Sequence, residues 1–253
     1  MSDGWTTGGN ARREALFLRA YADAGARRID VESAAGRTPD TLAACIDHTL
    51  LAAAATRDQI ATLCSEAAQH RFASVCVNPR HVPACRQHLQ ETGVQVCTVV
   101  GFPLGAADTE IKALEARRCV QLGATEVDMV LPIGALREGD HAAVYRDVAA
   151  VRRETLGLAM LKVIIECALL DDAQKRLACR ISADAGADFV KTSTGFAASG
   201  ATIEDVRLMR ETVGEHLGVK AAGGIRDRAA AEAMLAAGAN RIGTSGGVAI
   251  VTE

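Results

Sequence analysis

The sequence is poor in aromatic residues, which make up only 3% of its 253 residues. So few aromatic side chains exclude the stacking platforms on which single-stranded nucleic acids bind. A surplus of one charge is also lacking, because the formal net charge at pH 7 is −3. A chain without a basic surplus has no electrostatic basis for binding DNA, RNA or an anionic membrane. We therefore expect a small-molecule partner, with no nucleic acid and no membrane involved.

Long apolar runs and clustered cysteines are missing too. No apolar run approaches the roughly 18 residues of a membrane span, and the N-terminus lacks the basic and apolar pattern of a secretory signal. The eight cysteines form no CxxC motif and no Cys/His cluster at zinc spacing. We interpret them as buried, reduced thiols of a cytoplasmic protein, and we expect no bound metal.

Lysine is scarce, since only five of the 28 lysine and arginine residues are lysine. Arginine is thus the ordinary surface cation of this chain. Where the chain has a lysine instead, we expect the amine group itself to have a function. An amine can lose its proton and attack a carbonyl, whereas a guanidinium cannot. The five are Lys112, Lys162, Lys175, Lys191 and Lys220.

The chain divides into an N-terminal extension, residues 1–40, and a regular remainder, residues 41–253. The extension is polar and glycine-rich at its start, and a charged helix is predicted over about residues 11–25. The remainder repeats short β-rich runs, each followed by a helical stretch. These runs lie at residues 45–46, 73–77, 95–101, 126–131, 160–166, 188–191, 218–221 and 241–242.

Eight such units predict an α/β fold made of a single (β/α)8 TIM barrel. Helix starts are predicted by a capping box at Thr56 and by cap residues at Asn78, Asp171, Thr202 and Asp227. The alternative is an open, doubly wound sheet, which usually has fewer strands. No G-x-G-x-x-G or Walker sequence follows the first strand, and this disfavours a dinucleotide-binding sheet.

Charged residues within the predicted strands mark the candidate site. Lys162, Lys191 and Lys220 lie in strands five, six and seven, and Asp128 lies in strand four. Lys191 and Lys220 occupy matching heights on neighbouring strands, and two adjacent ammonium groups cannot both stay charged cheaply. One of them is expected to act as a nucleophile, with Asp128 relaying protons or holding the second lysine charged. The alternative is a buried salt-bridge network, Asp128 with Lys162 or Lys220, that has no catalytic role.

Glycine-rich segments follow the last three predicted strands. They are Thr194-Gly195, Gly223-Gly224 and Gly243-Thr244-Ser245-Gly246. In TIM barrels the loops after strands seven and eight commonly bind phosphate through backbone N–H groups. We predict a phosphate-binding site there. Glu126 and Glu166 are candidates to orient neighbouring side chains, and the pattern does not fix which way they face.

Seven segments, taken together and in order, resemble the deoxyribose-phosphate aldolase family. The resemblance covers about residues 42 to 248. The segments are Asp47-His48-Thr49, Cys76-Val77-Asn78-Pro79, Val100-Gly101-Phe102-Pro103-Leu104-Gly105, Glu126-Val127-Asp128, Leu161-Lys162-Val163-Ile164-Ile165-Glu166, Val190-Lys191-Thr192-Ser193-Thr194-Gly195 and Val219-Lys220-Ala221-Ala222-Gly223-Gly224-Ile225-Arg226.

The resemblance implies a class I aldolase that needs no metal or other cofactor. It would reversibly cleave 2-deoxy-D-ribose 5-phosphate to D-glyceraldehyde 3-phosphate and acetaldehyde, and it would form a homo-oligomer, either a dimer or a tetramer. Lys191 would form the Schiff base, with Lys220 and Asp128 as its catalytic partners. The candidate substrate-binding residues are Asp47, Thr49, Cys76, Lys162, Thr194, Gly195, Gly223, Gly224, Ser245 and Gly246.

Two departures from the family pattern concern the ends of the site. Some members carry a phosphate-binding lysine where this chain has Phe196, and some end in a tyrosine that assists proton transfer. The tyrosines here, Tyr21 and Tyr145, lie far from the C-terminus. Two other functions stay open at this point: a Schiff-base aldolase of the transaldolase kind, and a sugar-phosphate sensor without catalysis.

Overall fold

The structure, a computed structural model, describes residues 41–253. Its eight strands form a closed parallel barrel in sequence order, with the last strand hydrogen-bonded to the first. Each strand overlaps one of the eight predicted runs, so the predicted fold class is confirmed. The strands are β1 (Ile46–Leu50), β2 (Ser74–Val77), β3 (Gln95–Val100), β4 (Glu126–Val130), β5 (Met160–Ile164), β6 (Phe189–Lys191), β7 (Gly218–Ala222) and β8 (Arg241–Thr244).

Helices alternate with these strands and cover the outside of the barrel. Within residues 41–253, none is long and apolar enough to cross a membrane. The α-helices are α1 (Arg57–His70), α2 (Val82–His88), α3 (Thr109–Gln121), α4 (Ile133–Glu138), α5 (His141–Thr155), α6 (Asp172–Asp184), α7 (Ile203–Val213), α8 (Arg228–Ala236) and α9 (Gly247–Thr252). Three 3₁₀-helices are Ala43–Cys45, Pro79–His81 and Cys167–Leu169.

Most of the predicted helix caps are present. Thr56 caps α1 in a reciprocal capping box with Gln59, and Asp171 caps α6 in the same way with Gln174. Each box satisfies two backbone N–H groups that a helix start leaves without a partner. Single side-chain caps begin two further helices, at Thr202 and Asp227.

Asn78 does not cap a helix with its side chain, and this part of the prediction is wrong. Pro79 does occupy a first helical position, but it starts the short 3₁₀-helix Pro79–His81 rather than α2. The Asn78 side chain instead donates from Nδ2 to the backbone oxygen of Leu51, 3.1 Å away. Asn78 therefore ties the end of β2 to the segment that follows β1.

The barrel interior is charged, whereas the layer between barrel and helices is apolar. Along β4, the buried Val127 and Met129 belong to the hydrophobic core, while Glu126 and Asp128 alternate with them and point to the opposite face. Strand register places Asp128 beside Lys162 and Lys191 beside Lys220. Side chains paired in this way point to the same side of the sheet, so the predicted site residues converge inside the barrel.

The predicted N-terminal extension, residues 1–40, and its helix lie outside the described residues.

Candidate active site

Asp128 lies at the centre of the site and joins the two lysines that were predicted to act together. The Nζ atoms of Lys191 and Lys220 lie 2.8 and 2.7 Å from the same oxygen, Asp128 Oδ2. The two ammonium groups therefore do not simply face each other, because a carboxylate oxygen contacts both. Lys220 also lies 2.5 Å from Asp47 Oδ2.

The second oxygen of Asp128, Oδ1, contacts two other side chains. Lys162 Nζ lies 2.9 Å and Cys97 Sγ 3.2 Å from Asp128 Oδ1. Lys162 also contacts Glu126 Oε2 at 2.5 Å. Two groups thus hold Oδ1 in place, and Oδ2 is left to face Lys191 and Lys220.

Arg241 contacts the two carboxylates of the site that Lys191 does not contact, Asp47 and Glu126. Its Nη1 lies 2.7 Å from Asp47 Oδ1 and 3.2 Å from Glu126 Oε1. Arginine is the common cation of this chain, so nothing in the sequence singled Arg241 out beyond its place at the start of a strand. We use the term charge cluster for seven ionisable side chains: Asp47, Glu126, Asp128, Lys162, Lys191, Lys220 and Arg241.

Mutual contact within the charge cluster favours the ionised forms of Asp128, Lys162 and Lys220. Burial alone would raise the pKa of Asp128, but the three neighbouring lysines outweigh it and hold that pKa well below its usual value. Burial opposes the charge on Lys220 and Lys162 as well, yet the carboxylates around them raise both pKa values above the ordinary lysine value. The carboxylates around Lys220 and Lys162 therefore favour the charged forms of both lysines.

A cavity of about 460 Å³ opens at the carboxyl ends of β6, β7, β8 and β1. Lys191 lines this cavity, whereas the side chains of Lys162 and Lys220 are fully buried beneath it. Thr49 also lines the cavity. The active sites of TIM barrels form at this end of the strands, so Lys191 is the buried lysine that a small molecule can reach.

The three glycine-rich segments surround the same cavity. Thr194, Gly195, Gly223, Gly224 and Ser245 all line it. The backbone N–H groups of Gly195, Gly224 and Ser245 donate to no other residue in the described part of the chain. Unpaired backbone donors around a cavity are what an anion needs. Gly246 differs, because its N–H already donates to Thr244 Oγ1 at 3.0 Å.

Arg226 and Phe196 complete the rim of the cavity. Arg226 is exposed there and supplies a cation that the sequence did not single out, although it directly follows Gly223-Gly224-Ile225. Phe196 is 59% exposed and packs edge-on against Phe102 from the loop after β3, with ring centroids 5.2 Å apart. Phe196, the residue that departs from the family pattern, thus makes an aromatic contact with the loop after β3.

Several predicted substrate-binding residues lie below the cavity rather than on its wall. Asp47, Lys162 and Cys76 are fully buried, and none of them lines the cavity. Asp47 and Lys162 belong to the charge cluster. Cys97 lies beside Cys76 on the neighbouring strand β3. A hydrogen bond between the two thiols lowers the pKa of Cys76.

Among residues 41–253, two groups of three buried side chains have the ligand atoms and spacing that a metal ion needs. Cys76, Cys97 and Asp128 form one, and Asp47, Cys97 and Glu126 form the other. Lys162 Nζ lies 3.4 Å from Cys97 Sγ, close to Asp128 and Glu126 as well. An ammonium group therefore competes for the same ligand atoms, and the absence of a metal requirement stays a prediction.

The fold and the site together define a TIM-barrel enzyme with a lysine amine at a polar cavity. The chain belongs to the DeoC/LacD family of aldolases, whose family model matches residues 41–252.

Related proteins agree with this family. A protein of Rhodospirillum rubrum named deoxyribose-phosphate aldolase is 60% identical over 212 residues, which are 84% of this chain and 89% of that protein. A Geobacillus protein of the same name is 56% identical over 212 residues, covering 84% of this chain and 95% of its own. The tetrameric deoxyribose phosphate aldolase of Aeropyrum pernix superposes with a TM-score of 0.79 at 37% identity, covering 83% and 89% of the two chains.

Proposed function

We propose that this protein is a deoxyribose-phosphate aldolase that works through a Schiff base on Lys191. The observation that carries the proposal is the position of Lys191, the buried lysine of the charge cluster that lines the cavity. The names of the relatives supply the substrate, 2-deoxy-D-ribose 5-phosphate. The products are D-glyceraldehyde 3-phosphate and acetaldehyde, and the reaction is reversible.

The charge balance of the site supports a neutral amine on Lys191. The charge cluster contains four cations and three carboxylates, so it is balanced when one lysine is uncharged. Lys162 and Lys220 each have two carboxylates within 3 Å, whereas Lys191 contacts Asp128 alone. Buried net charge is costly, and Lys191 is the lysine of the charge cluster with the fewest carboxylate contacts.

Neutral Lys191 attacks the sugar aldehyde, and loss of water gives an iminium ion. A base removes the proton of the C3 hydroxyl group, and the C2–C3 bond breaks. Its electron pair moves into the iminium, which becomes an enamine as glyceraldehyde 3-phosphate leaves. Protonation at C2 and hydrolysis then release acetaldehyde and free Lys191. No cofactor is required, because the iminium is the electron sink.

Asp128 and Lys220 move the protons of this cycle. Asp128 Oδ2 is in hydrogen-bond contact with both amines, so a proton leaving Lys191 has an acceptor and a neighbouring donor within 3 Å. Asp47 holds Lys220 in place through its own ion pair. Cys97 and Lys162 keep Asp128 from rotating, since both contact its other oxygen.

The phosphate of the substrate binds to the glycine loops. The free N–H groups of Gly195, Gly224 and Ser245 supply donors, and exposed Arg226 supplies a positive charge. This combination replaces the lysine that some family members carry at the position of Phe196. Gly223 lets two backbones approach closely, because a Cβ there would meet the Gly200 Cα at 2.9 Å.

Release of glyceraldehyde 3-phosphate from deoxyribose 5-phosphate, measured with a coupled dehydrogenase, tests the proposal. Release at a rate that saturates with substrate is the expected result. Turnover of a different sugar phosphate alone identifies a transaldolase-like enzyme instead. Binding of sugar phosphates without any turnover identifies a sensor.

Borohydride reduction in the presence of acetaldehyde tests the role of Lys191. The reduced Schiff base adds a two-carbon group, and peptide mapping by mass spectrometry should find it on Lys191. Lys191→Arg keeps a cation but removes the usable amine, so it should stay folded and lose turnover and labelling. An adduct on Lys220 or Lys162 contradicts the assignment even if the enzyme is an aldolase.

We also propose a homo-oligomer, a cytoplasmic location and a boundary between the N-terminal extension and the barrel at residue 41. The tetrameric relative supports the first. Eight cysteines without a disulfide support a reducing compartment. The start of the family match at residue 41 supports the boundary.

A further inference from the structure

Glu166, which lies just beyond β5, has a backbone conformation that side chains disfavour. Its φ and ψ are 55° and 70°, in the left-handed region. The other non-glycine residues of residues 41–253 with positive φ, Arg71 and Glu91, are exposed, whereas Glu166 is only 2% exposed. A buried left-handed glutamate costs free energy and persists only where its surroundings hold it.

The Glu166 side chain makes all its hydrogen bonds to one residue. The hydroxyl group of Thr194 donates to Glu166 Oε2 at 2.5 Å, and the Thr194 backbone N–H donates to the same oxygen at 3.2 Å. The other oxygen, Oε1, is buried with no hydrogen-bond partner among the described residues. Fold stability alone does not explain a strained buried carboxylate with one unpaired oxygen.

These bonds change what Thr194 can do in the cavity. Its hydroxyl proton and its N–H are both committed to Glu166, and its hydroxyl oxygen accepts a hydrogen bond from the Phe196 N–H at 3.1 Å. Thr194 is therefore not a free donor for an anion, although it lines the cavity. Gly195 lies between these two fixed residues, and its N–H is the one left unpaired.

We propose that Glu166 is a positioning residue for phosphate recognition. It holds Thr194, and through Thr194 and Phe196 it fixes the turn that presents the Gly195 N–H to the phosphate group of the substrate. Glu166 does not touch the substrate itself. The inference rests on the proposed function, since it assigns a part of the phosphate-binding site.

Three variants separate this role from a structural one. Glu166→Gly accepts the left-handed backbone without strain and removes the carboxylate. Glu166→Gln has a similar shape and keeps one acceptor oxygen for the two Thr194 donors. Thr194→Val leaves Glu166 in place and removes the hydroxyl group. For each variant, KM and kcat are measured with deoxyribose 5-phosphate and with unphosphorylated 2-deoxyribose, and the Kd of inorganic phosphate is measured by titration calorimetry.

Glu166→Gly should raise KM for the phosphorylated sugar and the Kd of inorganic phosphate by about tenfold or more. KM for 2-deoxyribose and kcat with either sugar should change less than about threefold, because the hydrogen bonds of the Glu166 side chain go to Thr194 and not to Lys191. Thr194→Val should show the same selectivity with a smaller effect. Glu166→Gln should stay within about threefold of the wild type throughout, because it can still accept from Thr194.

Equal increases in KM for both sugars, or a fall in kcat alone, overturn the proposal. So does a Glu166→Gln variant as impaired as Glu166→Gly, because the charge would then matter rather than the hydrogen bonds. If Glu166→Gly fails to fold, Thr194→Val and Glu166→Gln still decide the question. An inactive wild type would refute the proposed function, while the phosphate Kd would still test the positioning role.

Discussion

Lys191 differs from the other two lysines of the charge cluster in its partners. Lys162 and Lys220 each lie between two carboxylates and are sealed from solvent, whereas Lys191 shares Asp128 with Lys220 and reaches the cavity. The reaction at the Lys191 amine thus depends on the charges of Asp128 and Lys220. Two predictions at the scale of single residues follow from this dependence.

Lys220→Leu removes the cation that shares Asp128 Oδ2 with Lys191. The full charge of Asp128 then acts on Lys191 and favours its ammonium form, so the ascending limb of the kcat/KM profile should move to higher pH by about one unit or more. The pH–rate profile of the variant measures this. Lys175→Leu, which removes a lysine of α6 that pairs with Asp172 and Asp205, is the control and should leave the profile in place. An unchanged or acid-shifted profile for Lys220→Leu contradicts the role.

Asp47→Asn tests how much the charge cluster stabilises the fold. Burial opposes ionisation of Asp47, but Arg241, Lys220 and Lys162 hold its pKa far below the usual value of about 3.9. A carboxyl group whose pKa is lower in the folded state stabilises the fold above about pH 4 and loses that contribution as the pH falls towards the folded-state pKa. At pH 7 the variant should lose about 3 kcal/mol of unfolding free energy, because buried cations lose a partner.

Urea unfolding at pH 7, 5, 4 and 3.5 measures this effect. The difference between wild type and Asp47→Asn should narrow below about pH 4, because Asp47 of the unfolded wild-type chain begins to take up a proton there while the folded carboxylate stays ionised. Asp58→Asn, at an exposed carboxylate in the first turn of α1, serves as the control and should change the midpoint little. A difference that stays constant down to pH 3.5 would show that Asp47 does not stabilise the fold through its charge.

At the scale of elements, strand periodicity and register were readable from the sequence. Matched positions in β6 and β7 predicted that Lys191 and Lys220 would approach each other, and both contact Asp128 of β4. Side-chain direction across distant strands was not readable. Arg241 was missed because pairing with Asp47 requires barrel closure, which no local pattern encodes. Arg226 ends one of the segments that carry the family resemblance, but it was missed as a binding residue because an exposed loop arginine has no local signal for that role.

The loops also show where local patterns misled. Thr194 was expected to donate to phosphate, but its hydroxyl group donates to Glu166. Gly246 was expected to present its N–H to an anion, but Thr244 already accepts that hydrogen bond. In both cases a neighbouring side chain accepts the hydrogen bond of a donor that the sequence pattern assigned to phosphate. Such a hydrogen bond is visible only in the folded structure.

Gly224 is the loop position where a substitution should affect phosphate binding most. Gly224 lines the cavity, its φ is +82°, and a Cβ there would meet no atom within 4 Å. Gly224→Val should therefore strain the loop and obstruct the cavity, raising KM for deoxyribose 5-phosphate by about tenfold or more and that for 2-deoxyribose much less. Steady-state kinetics with both sugars measure the difference.

Two other glycines provide matched controls for Gly224. Gly139, at the end of α4, has φ +84° and equally open surroundings, so Gly139→Val imposes the same backbone strain away from the cavity. Gly246→Ala adds a methyl group at a φ of −96°, where the N–H is already paired. Both should leave the ratio of the two KM values unchanged. Equal effects of Gly224→Val on both sugars would mean that the loop is structural.

At the scale of the whole molecule, the barrel provides a buried, charged interior that supports lysine chemistry without a metal. Lys162 contacts the thiol and carboxylates that could otherwise bind a cation. Activity should therefore survive dialysis against EDTA at the level of an untreated sample. Loss of activity on chelation, restored by a divalent ion, would move the protein into the metal-dependent class of aldolases.

The ion pair between Arg241 and Asp47 joins the last strand of the barrel to the first, across 194 positions of sequence. Arg241 lies near the C-terminus and is synthesised after most of the chain. Until then the charge cluster that contains Asp47, Lys162 and Lys220 lacks its arginine. A nascent chain that ends before β8 has an open sheet edge and an incomplete charge cluster. Closure of the barrel and completion of the charge cluster below Lys191 therefore both depend on the last strand.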